Sequence, residues 1–224
     1  QHSDNLATDL LIKRVGIVKV NRAARRYGGE GFGELTSMID VRRAIYRRLD
    51  ARADRLSARQ VAGLRRARAL AARAKLFSKA IGSQQPISVH ELEVAYDDYY
   101  ASGLNSAAMA DVGHMLAELE RRAVVDPLAS QHMLDIMLRC KTGKRRLRAG
   151  LPAEVMLAHK TGTQHRRMCD LGIVYPVQRR AIVLAVCLKD YGSSRQAEAL
   201  MARLAAKTHA LMAEGQVWPP PPPK

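Results

Sequence analysis

The segments "EVMLAHKTG" (154–162), "MCDLGIVYP" (168–176) and "AIVLAVCLK" (181–189) decide the fold. Each is a short apolar run of strand length, and short polar turns join them, around Gln164 to Arg167 and Val177 to Arg180. Consecutive strands linked this closely pair antiparallel, so the three predict a meander. From roughly Ser194 to Ala213 the period changes to that of a helix. Leu200, Leu204 and Leu211 lie on one side, suited to covering a sheet face. One oddity sits at the end of the first run, where Lys160 puts a charge on a strand that otherwise reads as buried.

Upstream the pattern is helical. Leu6, Leu10, Leu11 and Val15 fall close to helical spacing over Asp4 to Val15, with Gly16 as the stop, and a second short helix covers roughly Val18 to Tyr27. After the glycine-rich "GGEGFGE", a basic segment reads as two helices, about 41 to 56 and 58 to 80, divided at Ser57, whose capping box is completed by Gln60. Ile45, Leu49 and Leu56 form its apolar stripe. Ser88 and Glu91 make a second capping box, Ser106 offers a cap for "AAMADVGHMLAELERR", and Asp126-Pro127 starts "LASQHMLDIMLRC". Gly143 is expected to end that last helix, placing Lys141 and Thr142 in its tail, where cations favour the dipole. The tail "WPPPPPK" reads as polyproline. The fold class is α+β: a helical region followed by an antiparallel three-stranded meander and a packing helix.

The chain has 224 residues, 47% of them hydrophobic, enough for a sizeable core. No run of about 18 apolar residues occurs, so no transmembrane helix is predicted. "QHSDNLATD" lacks the layout of a signal peptide. The formal charge is +16, and residues 42–79 hold thirteen Arg or Lys against Asp50 and Asp54, a net +11. Such a segment is a solvated face or a contact for an anionic polymer. Aromatic residues, 4% of the chain, are too few there for a stacking platform. Cys140, Cys169 and Cys187 have no metal-ligand spacing, and Cys187 in "AIVLAVCL" reads as a small buried hydrophobe.

"HKTGT", at the end of the first strand and followed by "DLGIVYP", resembles the third motif of the penicillin-recognising serine hydrolases, class A β-lactamases in particular. Ser3-Asp4-Asn5 in "HSDNLATDLLIKRVG" resembles the second motif of that family, and "LRAGLP" before the first strand also matches. The resemblance covers most of residues 1 to 38 and 102 to 213. It implies a β-lactamase-like fold lacking its N-terminal strands and nucleophile helix, occupying 1–215, with a basic helical insertion at about 41–80 and a disordered tail at 216–224. No cofactor or metal is implied, and the implied location is periplasmic or secreted.

The resemblance also assigns roles. Ser3 would shuttle a proton to the departing ring nitrogen, with Lys160 beside it. Lys160 and the hydroxyls of Thr161 and Thr163 would clamp a substrate carboxylate, of a β-lactam or a peptidoglycan-like molecule. Asn5 would hold the side-chain amide, and Gly162 would admit close backbone approach. The Thr163 N–H would supply half of an oxyanion hole. Two departures stand out. No serine here has Lys three residues later, so the family's nucleophile motif, Ser-x-x-Lys, is expected on an upstream segment or a separate chain. The deacylating Glu has no clear counterpart either; register from "NSAAM" points to Glu91, with Glu93 and Asp97 nearby. Three functions therefore stand open: a β-lactamase-type serine hydrolase working through an acyl-enzyme, a penicillin-binding DD-peptidase-like enzyme, and a non-catalytic module holding anionic polymer at residues 42–79.

Overall fold

The computed structural model describes residues 3–64, 66–67, 69–177 and 180–213. The proline-rich tail and Arg65 and Arg68 of the basic segment lie outside the described residues. The chain divides into two compact units, Asp4–Ala108 and a second one made of Ser3 with the residues from Met109 on.

The first unit is helical. Helix α1 (Asn5–Val15) is capped by Asp4, whose carboxylate accepts from the Ala7 N–H, and it ends at Gly16. Gly16 has a φ of 93°, a conformation that favours glycine. Helix α2 (Ile17–Gly28) follows directly. The basic segment is more broken than its pattern predicts. It forms α3 (Met38–Arg47), a 3-10 turn (Ala51–Arg55), α4 (Ala58–Leu64) and α5 (Leu70–Ala80), in place of two continuous helices. The breaks have local causes. Asp50 takes the Arg52 N–H and guanidinium at 2.7–3.1 Å, and the Ser57–Gln60 box restarts the chain as α4. Helix α6 (Val89–Ala101) then begins at the Ser88–Glu91 capping box.

These helices enclose a core of their own. Tyr46 and Phe77 stack with ring centroids 4.7 Å apart, and Leu92, Tyr96 and Tyr99 of α6 complete it. Burial holds the Tyr46 phenol above its ordinary pKa, so it stays neutral. Arg73 enters this unit as a hydrogen-bond donor, with Nη1 2.8 Å from the Tyr96 hydroxyl. The predicted stripe holds: Ile45 and Leu56 are buried and Leu49 packs against them.

The second unit carries α7 (Met109–Glu120), α8 (Pro127–Leu138), the strands β1 (Met156–Gln164), β2 (Arg167–Tyr175) and β3 (Ile182–Lys189), and α9 (Ser194–Ala213). Asp126 caps α8 as expected, through the Ala129 N–H. Ser106 does not cap α7, which starts three residues later; its hydroxyl donates instead to the Gly103 carbonyl. The strands form the predicted antiparallel meander in the order β1-β2-β3.

Strand alternation sorts the side chains into two faces. Leu157, Met168, Val174 and Leu184 point one way and join Ala197, Met201 and Ala205 of α9 in a core. Ala158 and Ile173 point the other way and are also buried, with α7 and α8 packed on the sheet. The connection into β1 is pinned twice. Arg148 donates to the carbonyls of Leu151, Pro152 and Val155. Gly150 lies so close to α9 that a Cβ there would fall 1.8 Å from the Ala202 carbonyl oxygen, which explains why "RAGLP" carries glycine.

Candidate functional site

The site is built on the exposed end of β1. Alternation puts Lys160 and Gly162 on one face and His159, Thr161 and Thr163 on the other. Lys160 is exposed, and its ammonium donates to the Thr161 carbonyl at 2.6 Å. Gly162 pairs with Cys169 across the sheet, with open room above it: an added Cβ would meet only the Cys169 Cβ, at 3.8 Å.

Two neighbours complete the cluster, and the sequence reading gave neither a place at the site. Arg146 is nearly buried. Its Nη2 donates to the Thr163 hydroxyl at 2.6 Å, and its Nη1 to the carbonyls of Gly162 at 3.1 Å and Cys169 at 2.8 Å. Glu198 of α9 lies 3.9 Å from its Nε. A guanidinium so held is a fixed positive charge with planar donors. Thr142 is the second neighbour: its hydroxyl is 2.6 Å from that of Thr161. Helix α8 ends at Leu138 with Arg139 as its cap, so the earlier Lys-Thr-Gly is not a helix tail. It is a loop, and its Thr142-Gly143 packs on the later one. Gly143 has a φ of 74°, and a Cβ there would lie 2.4 Å from the Thr161 methyl.

Beneath this cluster lies a buried pair. His159 Nδ1 is 2.7 Å from Asp170 Oδ1, and Asp170 Oδ2 accepts from the Leu147 N–H at 3.2 Å. Asp170 is fully buried. One carboxylate thus ties β1 to the segment that presents Arg146.

Cys187 corrects its sequence reading. It is exposed, and it is bonded to Cys169 rather than packed as a hydrophobe. The apolar run around it belongs to a strand whose Cys187 end is not covered on that face. Among the described residues no group of three or more His, Cys, Asp or Glu could hold a metal ion.

The remaining sequence candidates stand elsewhere. Ser3 precedes α1 and is exposed, and since Asp4 does the capping, the Ser3 hydroxyl is not spent on that role. Asn5 is the first residue of α1, in the other unit. Glu91 also belongs to that unit, where Oε2 accepts from the Ser88 N–H at 2.8 Å and the Ser88 hydroxyl at 2.7 Å. Those bonds hold the Glu91 carboxyl below the ordinary carboxylate range. A depressed folded-state pKa stabilises the fold above the unfolded pKa, and the gain disappears as pH falls through the folded one. The Tm difference between wild type and Glu91→Ala, present at about pH 6, should therefore shrink below about pH 4. A pH-independent difference would show that the capping box carries no charge contribution.

Residues 1–212 match the model of the family described as "Beta-lactamase enzyme family". The chain belongs to that family.

The extended-spectrum β-lactamase PER-1 of Pseudomonas aeruginosa is 32% identical over 108 residues, covering 45% of this chain. The chain spans 35% of the length of that relative. Among solved structures, a mutant of the class A β-lactamase of the last common ancestor of Gram-negative bacteria aligns with a TM-score of 0.49 at 21% identity, over 65% of this chain and 61% of its own. PBP-A aligns with a TM-score of 0.47 at 18% identity, over 64% of this chain and 57% of its own.

Proposed function

We propose that the end of β1 is the carboxylate-binding part of a serine hydrolase site of the β-lactamase type, acting through an acyl-enzyme on a β-lactam or peptidoglycan-like amide. The observation that carries this reading is the Arg146–Thr163 hydrogen bond, which sets a buried guanidinium behind the hydroxyl of a Lys-Thr-Gly-Thr strand. With Nη1 held by the Gly162 and Cys169 carbonyls and Nη2 by Thr163, the Arg146 guanidinium is fixed, so its charge is organised before a ligand arrives. Lys160 adds an exposed cation on the other face of the strand. Thr142 orients the Thr161 hydroxyl. A carboxylate is the complementary group for such donors.

In this reading Ser3 shuttles the proton to the departing nitrogen, Asn5 holds the substrate's side-chain amide, and the nucleophile comes from a Ser-x-x-Lys segment that these 224 residues do not contain. A periplasmic or secreted location goes with it, and the Cys169–Cys187 disulfide fits an oxidising compartment. The engagement of Glu91 by Ser88 favours a second reading, in which the acyl-enzyme persists as in a DD-peptidase. The basic segment supports an added contact with anionic polymer, since Arg55, Arg59, Lys75 and Lys79 are exposed.

The test is non-covalent binding of benzylpenicillin to the chain, followed by nuclear magnetic resonance. Arg146→Ala and Lys160→Ala should each weaken it about tenfold or more, the equivalent of losing one hydrogen bond to a charged group. Affinity equal to that of the wild type in both variants would end the carboxylate-clamp reading. The chain alone should give no covalent penicillin adduct, and turnover of a chromogenic cephalosporin would reveal a nucleophile outside the family pattern.

A further inference from the structure

The Cys169–Cys187 disulfide joins residues that are already register partners on β2 and β3, so it adds no new pairing to the sheet. Neither cysteine belongs to the hydrophobic cores of the chain. What the bond does adjoin is the site. Cys169 is also the register partner of Gly162, its side chain shares the Lys160 face of the sheet, and its carbonyl accepts from Arg146 at 2.8 Å. One residue thus connects the disulfide by its side chain to the clamp by its backbone. Cys187 is exposed, whereas Cys169 is half-buried, so one sulfur is open to attack and the other is the leaving group.

We infer that the Cys169–Cys187 disulfide is an exchangeable positioning element, whose reduction by an external dithiol loosens the Cys169 peptide and with it the Arg146–Thr163 clamp. The inference rests on the clamp reading above. In the exchange, a thiolate of the dithiol attacks Cys187 Sγ, the S–S bond breaks, and Cys169 leaves as a thiolate that takes a proton from water. The second thiol of the dithiol, deprotonated, attacks the dithiol sulfur of the mixed disulfide and releases Cys187 as a thiolate. The dithiol is oxidised to its disulfide by two electrons, and the cystine is reduced by two. The first step is directed to Cys187 because that residue is the exposed one of the pair.

The experiment treats the folded chain with dithiothreitol without denaturant and blocks free thiols for mass analysis. The oxidised and reduced forms are then compared by amide hydrogen exchange and by benzylpenicillin binding. The expected result is that Cys169 and Cys187 become alkylated while the helical signal is retained. Exchange at Gly162 and Thr163 should quicken about tenfold, as expected when local opening becomes easier. Penicillin affinity should fall about tenfold, return on reoxidation, and be equally low in Cys187→Ser without reductant. A disulfide that yields only in denaturant, or a reduced form with unchanged exchange and affinity, overturns the inference. Arg146→Ala separates the two readings. If it lowers affinity while reduction does not, the clamp stands and the disulfide's role falls. If it leaves affinity unchanged, the clamp falls, and exchange at Gly162 and Thr163 alone decides whether the disulfide holds the strand.

Discussion

Asp170→Ala is expected to destabilise the strand-bearing unit by about 3–5 kcal/mol, the range found when one partner of a buried pair is removed. The size follows from what is left behind. Asp170 is fully buried, with its two oxygens occupied by the His159 ring at 2.7 Å and the Leu147 N–H at 3.2 Å. Removing the carboxylate takes away the buried partner of both the His159 ring and the Leu147 N–H, and an unmet buried polar group costs more than a made bond gains. Asp170→Asn keeps the shape and one acceptor oxygen, so it should lose roughly half as much. Urea denaturation of the three proteins checks the order. Equal stability of Asp170→Ala and wild type would mean that the pair ties nothing together. Because Leu147 follows Arg146, the same variant should also weaken penicillin binding, even in the fraction that remains folded.

Phe77→Ala is the corresponding lesion in the other unit. Phe77 is fully buried and stacked on Tyr46, and its removal leaves a cavity among Leu92, Tyr96 and Tyr99, which predicts a loss of about 3–5 kcal/mol. The two cores have no residue in common. Amide exchange should therefore quicken in α3, α5 and α6 while β1 to β3 keep their protection. Loss of protection throughout the chain would show that the units unfold together.

Much of this was legible before any coordinates. Lys160 announced itself because a charge at the end of an apolar strand needs a reason, and the strand period fixed which face it shares with Gly162. The capping boxes at Ser57 and Ser88 were equally readable, since the spacing of donor and acceptor is the whole mechanism. Arg146 was not readable, although "LRAGLP" beside it was noticed. Its importance comes from three partners, 16, 23 and 17 positions away, that only the meander brings together. Thr142 was misplaced because helix composition runs on past Leu138, and nothing local reveals that the helix stops there. The disulfide was only half legible. Cys169 and Cys187 each lie nine positions from 178, the centre of the observed register, but the turn read at Val177 to Arg180 is centred half a residue later and does not pair them. The basic segment shows the converse, where a long run with good helical propensity was interrupted by Asp50 acting through its side chain.

The packing of Gly143 against Thr161 bears on how this site can change over generations. A side chain at 143 collides with the Thr161 methyl, and its backbone already occupies the region that favours glycine. Serine at 161 removes the methyl and keeps the hydroxyl that meets Thr142. A side chain at 143 should therefore be tolerated better in a protein that already carries serine at 161, and asparagine, which tolerates positive φ, strains the backbone least there. Introduced alone, it pushes on Thr161 and so on the strand that carries Lys160.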